Sequence, residues 1–286
     1  MILVVGGTGK VGSVVVRELA AAGHDVRSLS RDPGKAPADS TGRVETVRGD
    51  LSDPPSLAAA LRGAEKVFLV SSADPQVKSL HLNLFREARK TGVRHLVRLS
   101  AMGAGKKGPV SLLKAHTETD EALAASDIPY TILRPHYFLQ NFYMSLPSIK
   151  EQGAFYAPMG NGKIPAIDVR DVGAFGAHVL TTAGHQGKTY EITGPEALSF
   201  AAMATALSAA AGREIKYVDI PPAEALKAIR GMGVPEWLAD GLVKLYQYFA
   251  AGNASDVTTT FREVTGRAPR TFDDFAREFA QALRQG

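Results

Sequence analysis

Residues 1–19 read MILVVGGTGKVGSVVVREL, and the segment GGTGKVG (6–12) decides how the rest of the chain is read. A short apolar run, a knot of glycines and an amphipathic run follow one another without a gap. Val11, Val14, Val15, Leu19 and Ala22 recur at helical spacing, so the order is strand, turn, helix. Gly7, Gly9 and Gly12 satisfy G-x-G-x-x-G, while Gly6, Gly9 and Gly12 satisfy G-x-x-G-x-x-G. Either set does the same work. One glycine permits the tight turn, one lets backbone N–H groups approach a pyrophosphate, and one lets helix pack closely on strand. The helix that follows would direct its positive end at the phosphates. No Gly-Lys-Ser/Thr follows, which excludes a P-loop and leaves dinucleotide binding against a purely structural turn.

The end of the second apolar run tells which dinucleotide. A site for NAD carries an acidic residue about 20 positions on, whereas an arginine there accommodates a 2′-phosphate. Here the run VRSLSRDPGKA presents Ser30 and Arg31, with Lys35 close behind. A planar guanidinium suits a phosphate, so NADP(H) is the expected cofactor; the alternative is a solvated charge paired with Asp32. Asp50 and Leu51, after the third strand, fall near the adenine edge, although Asp50 could equally cap the next helix.

The 286 residues carry 45% hydrophobic and 22% charged side chains and a net charge of +4, ordinary values for a globular protein. No basic block indicates nucleic acid. The absence of cysteine excludes disulfides, thiolate metal sites and a thiol nucleophile, and the seven histidines lack HExxH spacing, so no metal site is expected. No signal peptide is recognised and no apolar segment approaches 18 residues, so no membrane partner is expected and the cytoplasm is the default location.

Short apolar runs at 2–5, 26–30, 44–49, 67–70, 96–100 and 130–135 alternate with helical patterns at 10–22, 54–62, 76–92 and 112–126. That alternation predicts an α/β fold, a Rossmann-type doubly wound parallel sheet with helices on both faces. After residue 135 the rhythm changes. HYFLQNFYMSLPSIK (136–150) reads as an aromatic-lined helix, YEITGP (190–195) as a late strand, and the part from Ser199 as mostly helical with a strand at 214–220. The expected organisation is a Rossmann core over 1–135, then 136–286 with the remaining sheet elements and a small helical C-terminal lobe, interleaved without a clean linker.

Reductases on such sheets often use a Tyr-x-x-x-Lys pair. None of the tyrosines has a lysine four residues on, and Val110 stands four before Lys114. The candidates for chemistry are therefore Ser100 at the end of the fifth strand, Lys114 and His116 at the start of the next helix, and Tyr137 after the sixth strand. Histidine titrates near neutrality, which suits a proton donor. Each has a bland alternative: a strand-end cap, a solvated helix face, or core filler.

With these residues in view, the chain resembles the NmrA-like branch of the atypical short-chain dehydrogenases, type-2 quinone oxidoreductases and triphenylmethane reductases above all. The stretches that carry the resemblance are VVGGTGKVG, RGDL (48–51), LVRLSAMGA (96–104), SDIPYTILRPHYFLQNF (126–142), DVRDVGAFGAHVL (168–180), GKTYEITGP (187–195) and the tail 233–255. The resemblance implies an NADP-preferring core, a small lobe with a pocket between them, and no tyrosine–lysine pair. By position it implies that Gly6, Thr8, Gly9, Lys10 and Val11 hold the pyrophosphate, although relatives often have glutamine at Lys10. It further implies Arg31 at the 2′-phosphate, Ser71 and Ser72 flanking the riboses, and Ser100, Pro135 and Tyr137 near the nicotinamide. The expected activity is NADPH-dependent hydride transfer to a quinone or similar conjugated, dye-like small molecule, and the one protein partner considered for such an enzyme is a second copy of the chain in a homodimer. The alternative within the same family is an NADP(H)-sensing regulator that binds a protein partner without turnover.

Overall fold

Ile2–Val5 forms β1 with every side chain buried, and the glycine turn leads from it into α1, Gly12–Ala21. The chain continues through β2 (Val26–Ser30), β3 (Val44–Arg48), α2 (Pro54–Leu61), β4 (Lys66–Leu69), α3 (Val77–Lys90), β5 (His95–Leu99), α4 (Ser111–Ala124) and β6 (Tyr130–Pro135). Then follow α5 (Leu146–Gln152), β7 (Ala154–Ala157), β8 (Lys163–Ile164), α6 (Val169–Thr181), β9 (Lys188–Ile192), β10 (Leu198–Ser199), α7 (Phe200–Ala211) and β11 (Lys216–Asp219). The helices α8 (Pro222–Gly231), α9 (Glu236–Ala250), α10 (Thr260–Thr265) and α11 (Phe272–Arg284) complete it. This computed structural model describes residues 1–36, 39–106 and 110–285, without the side chain of Lys35.

Seven strands make the main sheet in the order β3-β2-β1-β4-β5-β6-β9. β1 pairs parallel with β2 (Val4 opposite Ser28) and with β4 (Val4 opposite Phe68). Parallel strands need crossovers, and the helices that supply them cover the faces, so the strands read as continuous apolar runs. The order reverses between β1 and β4, where the loops leaving their carboxyl ends diverge and open a crevice for a ligand. This is a Rossmann-type sheet.

The chain forms two compact units. The first comprises residues 1–105, 115–135 and 169–191 and holds the main sheet. Leu3, Val5, Leu57, Val67, Leu69 and Leu96 are among its core residues, and burying each such side chain contributes about 1.5–3 kcal/mol. The second comprises 106–114, 136–168 and 192–286 and carries the small pairings β7–β11 and β8–β10. Its core is aromatic: Phe142 lies 5.4 Å from Phe155, 5.5 Å from Phe200 and 5.7 Å from Phe272, centroid to centroid.

Residues 136–150 are not one helix. They form a 3-10 stretch at Leu139–Ser145 and then α5, with a proline in its first turn. A continuous α-helix would drive the Pro147 ring against the carbonyl of Tyr143, so the chain restarts its helix where proline is tolerated. Among the described residues no helix is long and apolar enough to cross a membrane.

Candidate functional site

The glycine turn is shaped by its own backbone. Gly6 has φ of +78°, and a Cβ on it would lie 2.2 Å from the Val70 carbonyl oxygen. A Cβ on Gly7 would lie 2.2 Å from Ser28 Oγ, and one on Gly12 2.1 Å from the Gly6 carbonyl oxygen. These three positions hold the turn against β4, β2 and itself, and any side chain there would push it open. Gly9 differs: it is exposed, and a Cβ would meet nothing nearer than Gly6 O at 3.3 Å. The protein's own packing presses on that position far less than on the other three, whereas a ligand approaching the backbone would need it bare.

Gly9 N–H donates to Gly6 O at 3.0 Å and Ser13 N–H to Gly9 O at 2.9 Å, which winds the turn directly into α1. Among the described residues no side chain caps that helix, and its first turn holds no acidic residue. Helices normally satisfy their first N–H groups with a side-chain oxygen. An uncapped start behind a turn closed to side chains fits a bound pyrophosphate. Thr8 Oγ1 lies 3.2 Å from Ser30 Oγ, tying the turn to the end of β2, and Lys10 is exposed while Val11 is buried.

Arg31 follows β2, exposed and without an ion pair among the described residues. Asp32 does not act simply as its partner, since Asp32 Oδ1 accepts from Gly34 N–H at 3.2 Å and organises the turn Pro33–Lys35. The side chain of Lys35 lies outside the described residues. Asp50 Oδ1 accepts from Ser52 N–H at 2.8 Å and Ser52 Oγ at 2.7 Å, so it braces the turn before α2 and does not cap that helix. These bonds hold its carboxyl below the usual range, and the Arg31 charge adds to the effect. Leu51 O accepts from Asn83 Nδ2 at 2.8 Å.

Beneath the ends of β4 and β5 runs a buried polar network that the sequence did not announce. Arg98, wholly buried in β5, pairs with Asp120 of α4 through Nη1 and Oδ1. Asp120 Oδ2 accepts from Ser100 Oγ at 2.9 Å and from Arg134 Nε and Nη2 at 3.1 and 3.0 Å. Arg98 also donates from Nε to His81 Nδ1 and from Nη2 to His116 Nδ1, both at 3.3 Å. His81 Nε2 reaches Ser71 Oγ at 2.9 Å. Burial lowers the Arg98 pKa, while Asp120 pulls it back up. An arginine and an aspartate 22 residues apart carry no spacing signature; the one signal was a charged residue within a run otherwise apolar enough for a central strand.

This network revises two sequence expectations. His116 is held neutral, pushed down to about 3 by burial and the Arg98 and Arg134 guanidiniums, so at neutral pH it has no extra proton to give. Ser100 is buried and its hydroxyl hydrogen is directed to Asp120, which leaves it an acceptor rather than a donor. Lys114 is exposed on the segment of α4 that belongs to the second unit, whereas His116 belongs to the first. Ser72 is exposed beside Ser71, and buried Pro135 closes β6 with its carbonyl accepting from Met102 N–H at 2.9 Å.

Tyr137 belongs to the second unit, half-buried, its hydroxyl 3.5 Å from that of Tyr246. Burial first, and then Tyr246, push its phenol well above the ordinary value, so it remains protonated. Its ring lies 6.2 Å from Phe200 and 6.5 Å from Phe142. The neighbouring His136 is buried, accepting from Tyr137 N–H at 2.7 Å and donating to Ala254 O at 2.9 Å.

Known proteins are similar to this chain in architecture and in sequence. The chain is 42% identical over 283 residues to the NAD(P)H azoreductase of Xenophilus azovorans, covering 99% of both. The structure of the NADPH-dependent quinone oxidoreductase QOR2 of Escherichia coli complexed with NADPH matches with a TM-score of 0.89 at 30% identity, over 98% of this chain and 99% of that one. The triphenylmethane reductase of Citrobacter sp. complexed with NADP(H) matches with a TM-score of 0.85 at 26% identity, over 98% and 99%. The model of the NmrA-like family matches residues 1–276, and on a match of that extent the chain belongs to the NmrA-like family.

Proposed function

We propose that the chain is an NADPH-dependent reductase that delivers hydride to a quinone, azo dye or similar flat conjugated acceptor. The observation that carries the reading is the uncapped start of α1 behind a glycine turn closed to side chains, with Arg31 exposed at the end of the next strand. Its relatives support the reaction class, being named as reductases of azo compounds and quinones.

In this reading Gly6, Thr8, Gly9, Lys10, Val11 and Gly12 hold the pyrophosphate, and Arg31 with Lys35 holds the 2′-phosphate. Asp50 and Leu51 border the adenine, Ser71 and Ser72 the riboses, and Ser100, Pro135 and Tyr137 the nicotinamide end. Bound NADPH supplies the hydride. Tyr137 orients the acceptor and keeps its own proton at neutral pH. Positioning carries much of the rate, since effective molarities of roughly 10⁵–10⁸ M are attainable by orientation alone. A quinone accepts hydride readily and then takes its proton from solvent, so no dedicated donor is required of His116 or Lys114. The acceptor is a small molecule met in the cytoplasm, and the working form is a homodimer.

The test is the loss of NADPH absorbance when purified protein meets a panel of quinones, azo dyes and triarylmethane dyes. Turnover with NADPH favoured over NADH supports the proposal. Unequal binding of NADP+ and NADPH without turnover on any acceptor would replace it with a cofactor sensor.

A further inference from the structure

Hydrogen-bond polarity can be followed outward from Arg98 without ambiguity. An arginine only donates, so the contact of Arg98 Nε with His81 Nδ1 at 3.3 Å makes Nδ1 the bare nitrogen of a neutral ring. The ring hydrogen then lies on Nε2 and is donated to Ser71 Oγ, 2.9 Å away. Ser71 therefore accepts from below, and its own hydroxyl hydrogen must point elsewhere. The ring of His81 is locked: it is buried on α3, edge-on to Phe85 with centroids 6.3 Å apart. Ser71 is exposed two residues beyond β4, next to the switch point of the sheet, and among the described residues its hydroxyl bonds to nothing but His81. Ser100, one strand along, has the opposite polarity, because its hydrogen is given to Asp120.

We infer that His81, oriented by Arg98, is a positioning residue that fixes the Ser71 hydroxyl as a hydrogen-bond donor toward an acceptor oxygen of the bound dinucleotide. The inference rests on the dinucleotide reading above. Free serine hydroxyls rotate; this one has its lone pair occupied from within, so its hydrogen is presented outward before a ligand arrives. Exact placement of a single donor then depends on a side chain that itself never touches the ligand.

The experiment is a double-mutant cycle read as NADPH dissociation constants from nicotinamide fluorescence, with no turnover involved. Ser71→Ala is expected to weaken binding about three- to tenfold, the value of one hydrogen bond. His81→Leu, which keeps bulk and removes both ring nitrogens, is expected to weaken it by a similar factor. The pair together should be no weaker than Ser71→Ala alone, because the two act through one bond. His81→Gln, whose amide can accept from Arg98 through its oxygen and donate to Ser71 through its nitrogen, should recover most of the affinity. Wild-type affinity in Ser71→Ala overturns the inference, as does multiplication of the two losses, which is what a merely structural histidine would give. Should His81→Leu not fold, Ser71→Ala and His81→Gln still decide, and equal weakness of the two overturns it. Failure of the wild type to bind NADPH removes the dinucleotide reading itself, and the inference with it.

Discussion

Replacing Arg31 with alanine separates the two pyridine cofactors. The side chain is exposed and has no ion pair among the described residues, and the carboxyl of Asp50, on which its charge acts, already has two hydrogen bonds from Ser52 that the substitution leaves in place. Folding stability should therefore move by no more than ~0.5 kcal/mol, as for other surface changes. If Arg31 binds the 2′-phosphate, a charge-assisted hydrogen bond worth about 1.5–3 kcal/mol is lost with NADPH. At about 1.4 kcal/mol per tenfold, that weakens NADPH by roughly 10- to 150-fold. NADH has no 2′-phosphate and should bind as before. Titration calorimetry of both cofactors on both proteins measures the change, best at low ionic strength, because an exposed charge is screened by salt. Equal losses for NADPH and NADH, or none for either, would refute the assignment of Arg31 to the phosphate.

Other outcomes follow from the buried groups. Asp120→Ala leaves the wholly buried Arg98 and its neighbour Arg134 without their carboxylate. The loss should be about 3–5 kcal/mol, seen as a drop in Tm of roughly 6–20 °C; an unchanged Tm would show the network to be dispensable. His95 and His136 are held neutral, each at about 4, by burial, and burial and Arg98 also hold His81 well below the ordinary histidine value. Their folded pKa values lie below the unfolded value, so the unfolded state gains protons first. Stability should be full above pH 6.5 and fall as pH drops from there toward 4, by up to about 1.4 kcal/mol per pH unit for each histidine. A Tm flat from pH 7 to pH 4.5 would contradict this. Tyr137→Phe should lower kcat on a quinone by less than ~10-fold, whereas an obligatory proton donor would lose about 10²–10⁴-fold.

How far the sequence could be read depended on the range of the interactions concerned. β1, β2 and β6 have the bounds expected from their apolar runs, because central parallel strands are buried on both faces and leave an unbroken signal. The glycine turn was legible for the same local reason, its parts being contiguous. The stretch 136–150 misled because its aromatic spacing suits a helix while Pro147 forbids a continuous one. The network was hidden because Ser71, His81, Arg98, Asp120 and Arg134 come from different elements and meet only when β4, β5 and β6 are side by side. His116 looked like a group that titrates near neutrality, and only its burial, with the Arg98 and Arg134 guanidiniums beside it, says otherwise.

Direct hydride transfer is the centre of the account, and an isotope follows it. Purified protein would be given NADPH carrying deuterium at the transferable position of the nicotinamide, together with a cationic triarylmethane dye, which accepts hydride at carbon. Gly9→Asp serves as the control, because its Cβ would make one close contact, 3.3 Å from Gly6 O, without the overlap met at Gly6, Gly7 or Gly12, while its carboxylate would be set against the pyrophosphate. Direct hydride transfer gives a reduced dye one mass unit heavier with the wild type, and no reduced dye with Gly9→Asp. Unlabelled product, or NADPH bound tightly and never consumed across dyes and quinones alike, would contradict it.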